Sequence, residues 1–288
     1  MKAIAFAPGH ISGFFEPIYH QNDFNRTGSC GAGINISLGA YSEVTAENSK
    51  KQEIQIYFNG KKSNAPVTML ALKYLLKDNP LKITVKTKLV LPIGQGFGMS
   101  AAGALSATYA LTKITNISET DAMKASHFAE IKLRTGLGDV IASCFGGVEI
   151  RKTAGLPPWG LIEHIPGNFN LVLCVIGKKL DTKKILSDRF KADKIIEYGN
   201  YCTKKLLEKP SIENLFSLSQ VFTEKTNLAE KKVIEAINNA NNYGKASMCM
   251  LGNSVFAMGK TKELYKLLMN YGRVYICNVD QAGARVLE

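Results

Sequence analysis

The stretch from Lys88 to Leu111, KLVLPIGQGFGMSAAGALSATYAL, constrains the fold of this chain more than any other. Its apolar start, Lys88 to Leu91, reads as the end of a strand. Pro92, Gly94, Gly96 and Gly98 then make a segment that can take positive φ and bring backbone N–H groups against a bound group. Ser100, Ala101, Ala102, Gly103 and Ala104 follow at once and let a helix begin at the loop. The unpaired first-turn N–H groups and the dipole of such a helix favour an anion, so the junction is a phosphate cradle. It is not a GxxxxGK[ST] loop, because no Lys follows the last glycine, and it lacks the spacing and downstream acid of a dinucleotide fingerprint. Close packing of a helix on a sheet would by itself account for a generic Gly/Ala loop, and the rest of the chain has to decide between the two.

At 288 residues the chain can bury one large core or two medium ones. With 45% hydrophobic and 21% charged residues it has the composition of an ordinary soluble globular protein, and no apolar stretch approaches membrane-spanning length. The cysteines, at 30, 144, 174, 202, 249 and 277, form no CxxC pair, which fits reduced thiols in a cytoplasmic protein. Pro8 and Gly9 interrupt the N-terminal apolar run too early for a signal peptide. The net charge of +12 is spread along the chain rather than clustered with aromatic residues, so it reads as a solvated surface that also attracts nucleotide and acidic substrate. Neither a nucleic acid nor a membrane is expected as a partner.

Taken in order, Met1 to Ala7 reads as a first strand ended by Pro8–Gly9. Arg26 to Gly33, RTGSCGAG, reads as a second glycine loop. Glu53–Phe58 alternates with period two, Ala65–Leu76 carries helical spacing stopped by Asn79–Pro80, and Leu81–Val85 starts the strand that approaches the phosphate loop. Ser118 is a candidate N-cap with Asp121 three residues on. In the helix that follows, His127, Glu130 and Arg134 fall at i, i+3 and i+7 and share one face. Taken alone, Glu130 and Arg134 are an i, i+4 surface pair. TGLGDVIASCFGGVEIR then places Asp139 at the start of a short helix, where an Asp is commonly only a cap. Phe169–Ile176, Lys245–Met250 and Val274–Val279 read as strands of the second half, with helical spacing over Glu213–Thr226, Leu228–Asn239 and Glu263–Asn270.

Together these stretches resemble the galactokinase, homoserine kinase, mevalonate kinase and phosphomevalonate kinase (GHMP) superfamily. PIGQGFGMSAAG is similar to its PxxxGLGSSAA signature, with Phe97 for Leu and Met99 for the first Ser. APGHISGFFEP resembles the first motif, with His10 where many members carry Lys and Glu16 for the acid; from the residues alone, His10 reads as a turn residue bonding its own loop. TGLGDVIASCFGG is similar to the pattern SGxDxxxSxxGG, and MLGNSVFAMG resembles a third motif reduced to Gly252, Asn253 and Ser254. The resemblance implies an α+β, two-domain fold. Residues 1–158 would be an N-terminal α/β domain with a ribosomal-protein-like layer of left-handed βαβ type, and 159–288 a ferredoxin-like domain, with ATP and substrate between them.

The same resemblance implies an ATP-dependent kinase that uses Mg²⁺. Pro92, Gly94, Gly96, Gly98, Met99, Ser100 and Ala101 would wrap the phosphates, and Ser100 and Glu130 would hold the metal. Asp139 would complete the catalytic set by orienting or deprotonating the acceptor hydroxyl. The form TGLGDVIAS, with His127 before Ala129–Glu130, looks most like the archaeal members that phosphorylate the terminal hydroxyl of pantoate on the route to coenzyme A. For such an acceptor the residues offer Arg151, at the end of a strand past Gly146–Gly147, to take the carboxylate, Ser29 and Thr182 as hydroxyl donors and His127 as a donor to a substrate oxygen; a homodimer is compatible with this reading. Homoserine or mevalonate stays open as the acceptor, and a basic nucleic-acid-binding module is the alternative from another class. A binder, however, has no use for Ser100, Glu130 and Asp139 together.

Overall fold

The computed structural model describes residues 1–180, 185 and 187–288; Thr182 lies outside the described residues. An eight-stranded sheet runs in the order β12 (Arg285–Val286), β1 (Lys2–Ile18), β2 (Gly28–Asn48), β5 (Leu81–Leu89), β3 (Glu53–Phe58) and β4 (Lys61–Lys62). At 21 residues, β2 is long enough to take two partners on one side. Its Ala40–Asn48 half pairs with β5, and its Gly31–Ile34 segment pairs with β6 (Val148–Thr153), which in turn carries β7 (Leu161–Ile165). Among the described strand pairs only β3 and β5 are parallel, and the connection between them contains α1 (Pro66–Leu76). β5 alternates buried Leu81, Ile83 and Val85 with exposed Lys82 and Lys86, as a strand with one face in the core must.

Two expectations about this sheet are corrected. The first strand does not stop at Pro8–Gly9 but runs to Ile18, with register shifts at Pro8/Gly9 and Ser12/Phe14 that absorb the irregularity. The presumed loop Arg26–Gly33 is strand from Gly28 onward. Its glycines serve close approach rather than turning: a Cβ at Gly33 would sit 2.5 Å from the Ile11 carbonyl oxygen and 2.9 Å from Glu149 Oε1. β7 lies beyond residue 158 and still belongs to this first sheet, where it covers the edge that β6 would otherwise expose.

α2 (Met99–Ile114) lies against β1 and β2 and packs on α1 and α3 (Glu119–Leu133). Its run of Ala, Gly and Ser lets it approach the sheet closely, and it is buried from Met99 to Leu111 except at Ser100. α3 starts as expected, with the Ser118 hydroxyl accepting from the Asp121 N–H. α4 (Asp139–Phe145) follows after a short loop.

The second sheet is antiparallel in the order β11 (Arg273–Asn278), β8 (Asn170–Val175), β10 (Ser254–Gly259) and β9 (Gly244–Met248). It is accompanied by α5 (Arg189–Glu208), α6 (Ile212–Thr226), α7 (Lys231–Ala240) and α8 (Thr261–Leu268). The two halves share a core, since α5 and α6 pack on β1. Phe222 lies 6.5 and 6.0 Å, ring centre to ring centre, from Phe14 and Phe15. Among the described residues no helix is long and apolar enough to cross a membrane.

Candidate active site

The loop between β5 and α2 takes the shape its glycines allow, with φ of 79°, 75° and 60° at Gly94, Gly96 and Gly98. Gly98 is the N-cap of α2 and offers no side chain to its first turn. The N–H groups of that turn are therefore left to a ligand. A Cβ on Gly98 would come within 3.2 Å of the His10 backbone, so space and φ both require glycine there. The second half of the molecule holds the loop from the other side. Ser254 Oγ donates to the Gln95 carbonyl at 2.5 Å, Gln95 Nε2 to the Gly177 carbonyl at 3.0 Å, and the Leu180 N–H to the Gly94 carbonyl at 3.3 Å.

A cleft opens over this loop. Gly94, Gly96, Gly98, Met99, Ser100 and Ala101 line it, whereas Pro92 is exposed outside it. Glu130 on α3 and Asp139 at the first position of α4 reach the same cleft. The Ser100 hydroxyl donates to Glu130 Oε1, and Thr135 Oγ1 donates to the same oxygen at 3.0 Å. Burial pushes the Glu130 carboxyl up to about 7; the Asp139 charge adds to the shift, and the two hydroxyl hydrogen bonds oppose it. A Cβ on Gly136 would lie 3.1 Å from Asp139 Oδ2 and in contact with Glu130 Oε2, so these carboxylate oxygens converge over a position kept bare.

Behind Asp139 runs a buried chain of charges that sequence reasoning missed. His10 Nδ1 lies 2.7 Å from Asp139 Oδ1, and its Nε2 lies 2.8 Å from Glu149 Oε1. Arg151 Nη1 donates to that same Glu149 oxygen, and Nη2 donates to Ser12 Oγ at 3.2 Å. His10 and Glu149 are fully buried, and Arg151 is 1% exposed. Two acids and two bases alternate, so each acid in the chain meets a basic partner. Burial alone would lower the His10 pKa, but hydrogen bonds accepted by the Asp139 and Glu149 carboxylates, with their charges, outweigh it and raise the value. His10 is thus no turn residue. A signal was present, since it occupies a position where the family carries a cation.

Of the residues expected to bind substrate, Ser29 lines the cleft. His127 and Arg151 stand behind its wall. His127 Nε2 is 3.0 Å from both the Phe24 and the Thr27 carbonyl oxygens, and it is buried in a setting that lowers its pKa, partly offset by those carbonyls. Arg151 lies beyond Gly138, at which a Cβ would be 2.7 Å from Arg151 Nε and in contact with Ser29 Oγ. Arg134 is exposed, and no salt bridge joins it to Glu130 among the described residues. It falls past the end of α3, in a left-handed conformation, and lines the cleft.

Comparison with known proteins agrees with this geometry. The family model described as the GHMP kinases N terminal domain matches residues 65–147, which span the phosphate loop, Glu130 and Asp139. Pantoate kinase of Methanocaldococcus jannaschii is 33% identical over 277 residues, covering 95% of this chain and 99% of that one. Pantoate kinase of Thermococcus kodakarensis is 34% identical over 270 residues, covering 91% and 89%. A solved structure described as a phosphotransferase related to the CoA biosynthesis pathway superposes with a TM-score of 0.91 at 30% identity, over 100% of this chain and 99% of that one. With identity above 30% across nearly the whole of both chains and the phosphate loop, Glu130 and Asp139 all in place, this chain belongs to the pantoate kinase family of the GHMP kinases.

Proposed function

We propose that this protein transfers the γ-phosphoryl group of ATP to the terminal hydroxyl of pantoate, giving 4-phosphopantoate. One observation carries the reading: an uncapped helix N-terminus, a Ser100–Glu130 pair and Asp139 face a single cleft, in a chain one third identical to pantoate kinases. Phosphoryl transfer needs positioning and charge stabilisation more than covalent chemistry. The first-turn N–H groups of α2 and the Gly94–Gly98 backbone take the phosphate oxygens. Ser100 Oγ and Glu130 are hard oxygen donors that fit Mg²⁺, and Glu130 is a buried carboxyl with no cationic partner among the described residues. When bound, that ion neutralises charge on the transferring phosphate.

Asp139 has Oδ1 held by His10, which leaves Oδ2 on the cleft side to accept the proton of the acceptor hydroxyl. Ser29 offers a hydroxyl to the substrate, and Ile131, Leu137 and Leu251 supply an apolar wall for the dimethyl carbon. In this reading His127 and Arg151 act from behind, one holding the Phe24–Thr27 backbone that leads to Ser29 and the other holding Glu149 and Ser12. Thr182 stays in the proposal as a hydroxyl donor. Residence in the cytoplasm fits the six unpaired cysteines.

The test is a panel of pantoate, homoserine and mevalonate with ATP and Mg²⁺, following ADP release and identifying the product by phosphorus NMR. Pantoate should exceed the others in kcat/KM by about a hundredfold or more, as expected of a site built to pair substrate polar groups. Preference for either competitor would overturn the acceptor assignment.

A further inference from the structure

We infer that Arg134 is the residue that takes the acceptor's carboxylate, a statement that rests on the pantoate reading above. α3 ends at Leu133, and Arg134 occupies the C-cap with φ 55° and ψ 44°, its N–H returning to the Glu130 and Ile131 carbonyls. Such a left-handed cap is normally glycine or asparagine, because a Cβ crowds the backbone there. Keeping an arginine at this point breaks a local rule of helix termination, and departures of that kind gather at functional positions.

The position has a use. Arg134 lines the cleft and is the one Arg or Lys to do so among the described residues. It makes no salt bridge there among those residues, whereas Arg151 is committed to Glu149 and Ser12. The cleft already holds the carboxyls of Glu130 and Asp139, which would repel an anionic acceptor unless a cation met its far end. Arg134 and Asp139 stand at the two ends of the loop Thr135–Gly138 that forms one side of the cleft. A short hydroxy acid bound along that loop places its hydroxyl at Asp139 and its carboxylate at Arg134, whose guanidinium can grip it with two parallel N–H groups. Tyr19, an exposed residue, lines the same cleft.

The test crosses a protein change with a substrate change. Steady-state kinetics of the full-length enzyme, Arg134→Gln, Arg134→Lys and Arg151→Gln are measured on pantoate and on its carboxamide, which keeps both hydroxyls but no charge. The native enzyme should prefer pantoate by about 10- to 100-fold in kcat/KM, the range of a hydrogen bond to a charged group. In Arg134→Gln, KM for pantoate should rise by that factor and the preference should collapse to within about threefold, with KM for ATP unchanged; Arg134→Lys should retain part of it. If Arg134→Gln keeps the full preference, or if the preference collapses in Arg151→Gln instead, the anchor is elsewhere. A rise in KM for ATP alone would make Arg134 a nucleotide ligand and overturn the assignment. A native enzyme inactive on both compounds while phosphorylating another acid overturns the pantoate reading and this inference with it.

Discussion

Replacing Gly33 by alanine should disable the enzyme without altering any group that meets the substrate. The added methyl would lie 2.5 Å from the Ile11 carbonyl oxygen, 2.9 Å from Glu149 Oε1 and closer still to His10 Nε2. Ile11 belongs to the adjoining strand, paired across from Ile34, so the backbone cannot easily retreat. The imidazole and Glu149 must part instead. Separating a buried ion pair costs about 3–5 kcal/mol, and overpacking alone costs about 1–3 kcal/mol. These overlap rather than add, so a loss of about 4 kcal/mol is expected. For a chain of this size, at about 2 °C per kcal/mol, the melting temperature should fall by about 8 °C. Asp139 would lose the hydrogen bond that orients Oδ1, and kcat should drop about 10- to 100-fold, the range for a hydrogen bond to a charged group. Scanning calorimetry and steady-state kinetics on the purified variant read both effects. A melting temperature within about 1 °C of native together with unchanged kcat would refute the reasoning.

Three further outcomes are expected. Asp139→Ala should lower kcat by about 10²- to 10⁴-fold while nucleotide binding by calorimetry stays near native, and unchanged turnover would remove Asp139 from the mechanism. Gly96→Ala should weaken nucleotide binding at least tenfold, because its Cβ would lie 2.6 Å from the Cys249 carbonyl at a φ of 75°; an unchanged dissociation constant would mean the loop is not the cradle. The two buried histidines should tilt stability in opposite directions. The folded pKa of His127 is lowered, so its contribution is present above about pH 6.5 and lost as the pH falls; that of His10 is raised, so its contribution is full below about pH 6.5 and lost as the pH climbs through the raised value. Urea midpoints from about pH 5 to 8 should therefore flatten on the acid side in His127→Gln and on the alkaline side in His10→Gln; unaltered slopes would contradict both assignments.

That the phosphate-loop glycines, Ser100, Glu130 and Asp139 meet at one cleft was legible in the sequence because each lies in a short motif with a definite local conformation. His10 and Glu149 were not, because they are 139 residues apart and meet only through the adjacency of β1, β2 and β6. The same adjacency explains why RTGSCGAG reads as a loop and folds as a strand: the missing side chain of Gly33 is the room occupied by the His10–Glu149 contact. Arg134 was misread for another reason. Helical spacing carried through to residue 134 extends the helix to it, whereas the chain leaves the helix after Leu133 and Arg134 takes a left-handed conformation. The strand spacing of Phe169–Ile176 and Val274–Val279 was read to within a residue or so, since alternation or an unbroken apolar run survives without knowledge of the partner strand.

The place of β12 also bears on how the molecule is made. Residues 285–286 pair with Ala5 and Phe6, and the Ile4 N–H bonds to the Glu288 carbonyl. The edge of the first sheet is therefore finished by residues translated after the whole second sheet. During vectorial synthesis β1 waits with one side unpaired while about 240 further residues beyond β2 emerge, a long interval for an apolar strand to stand open. Ribosome-stalled chains lacking residues 285–288 should be held by chaperones and release them only when the final strand docks.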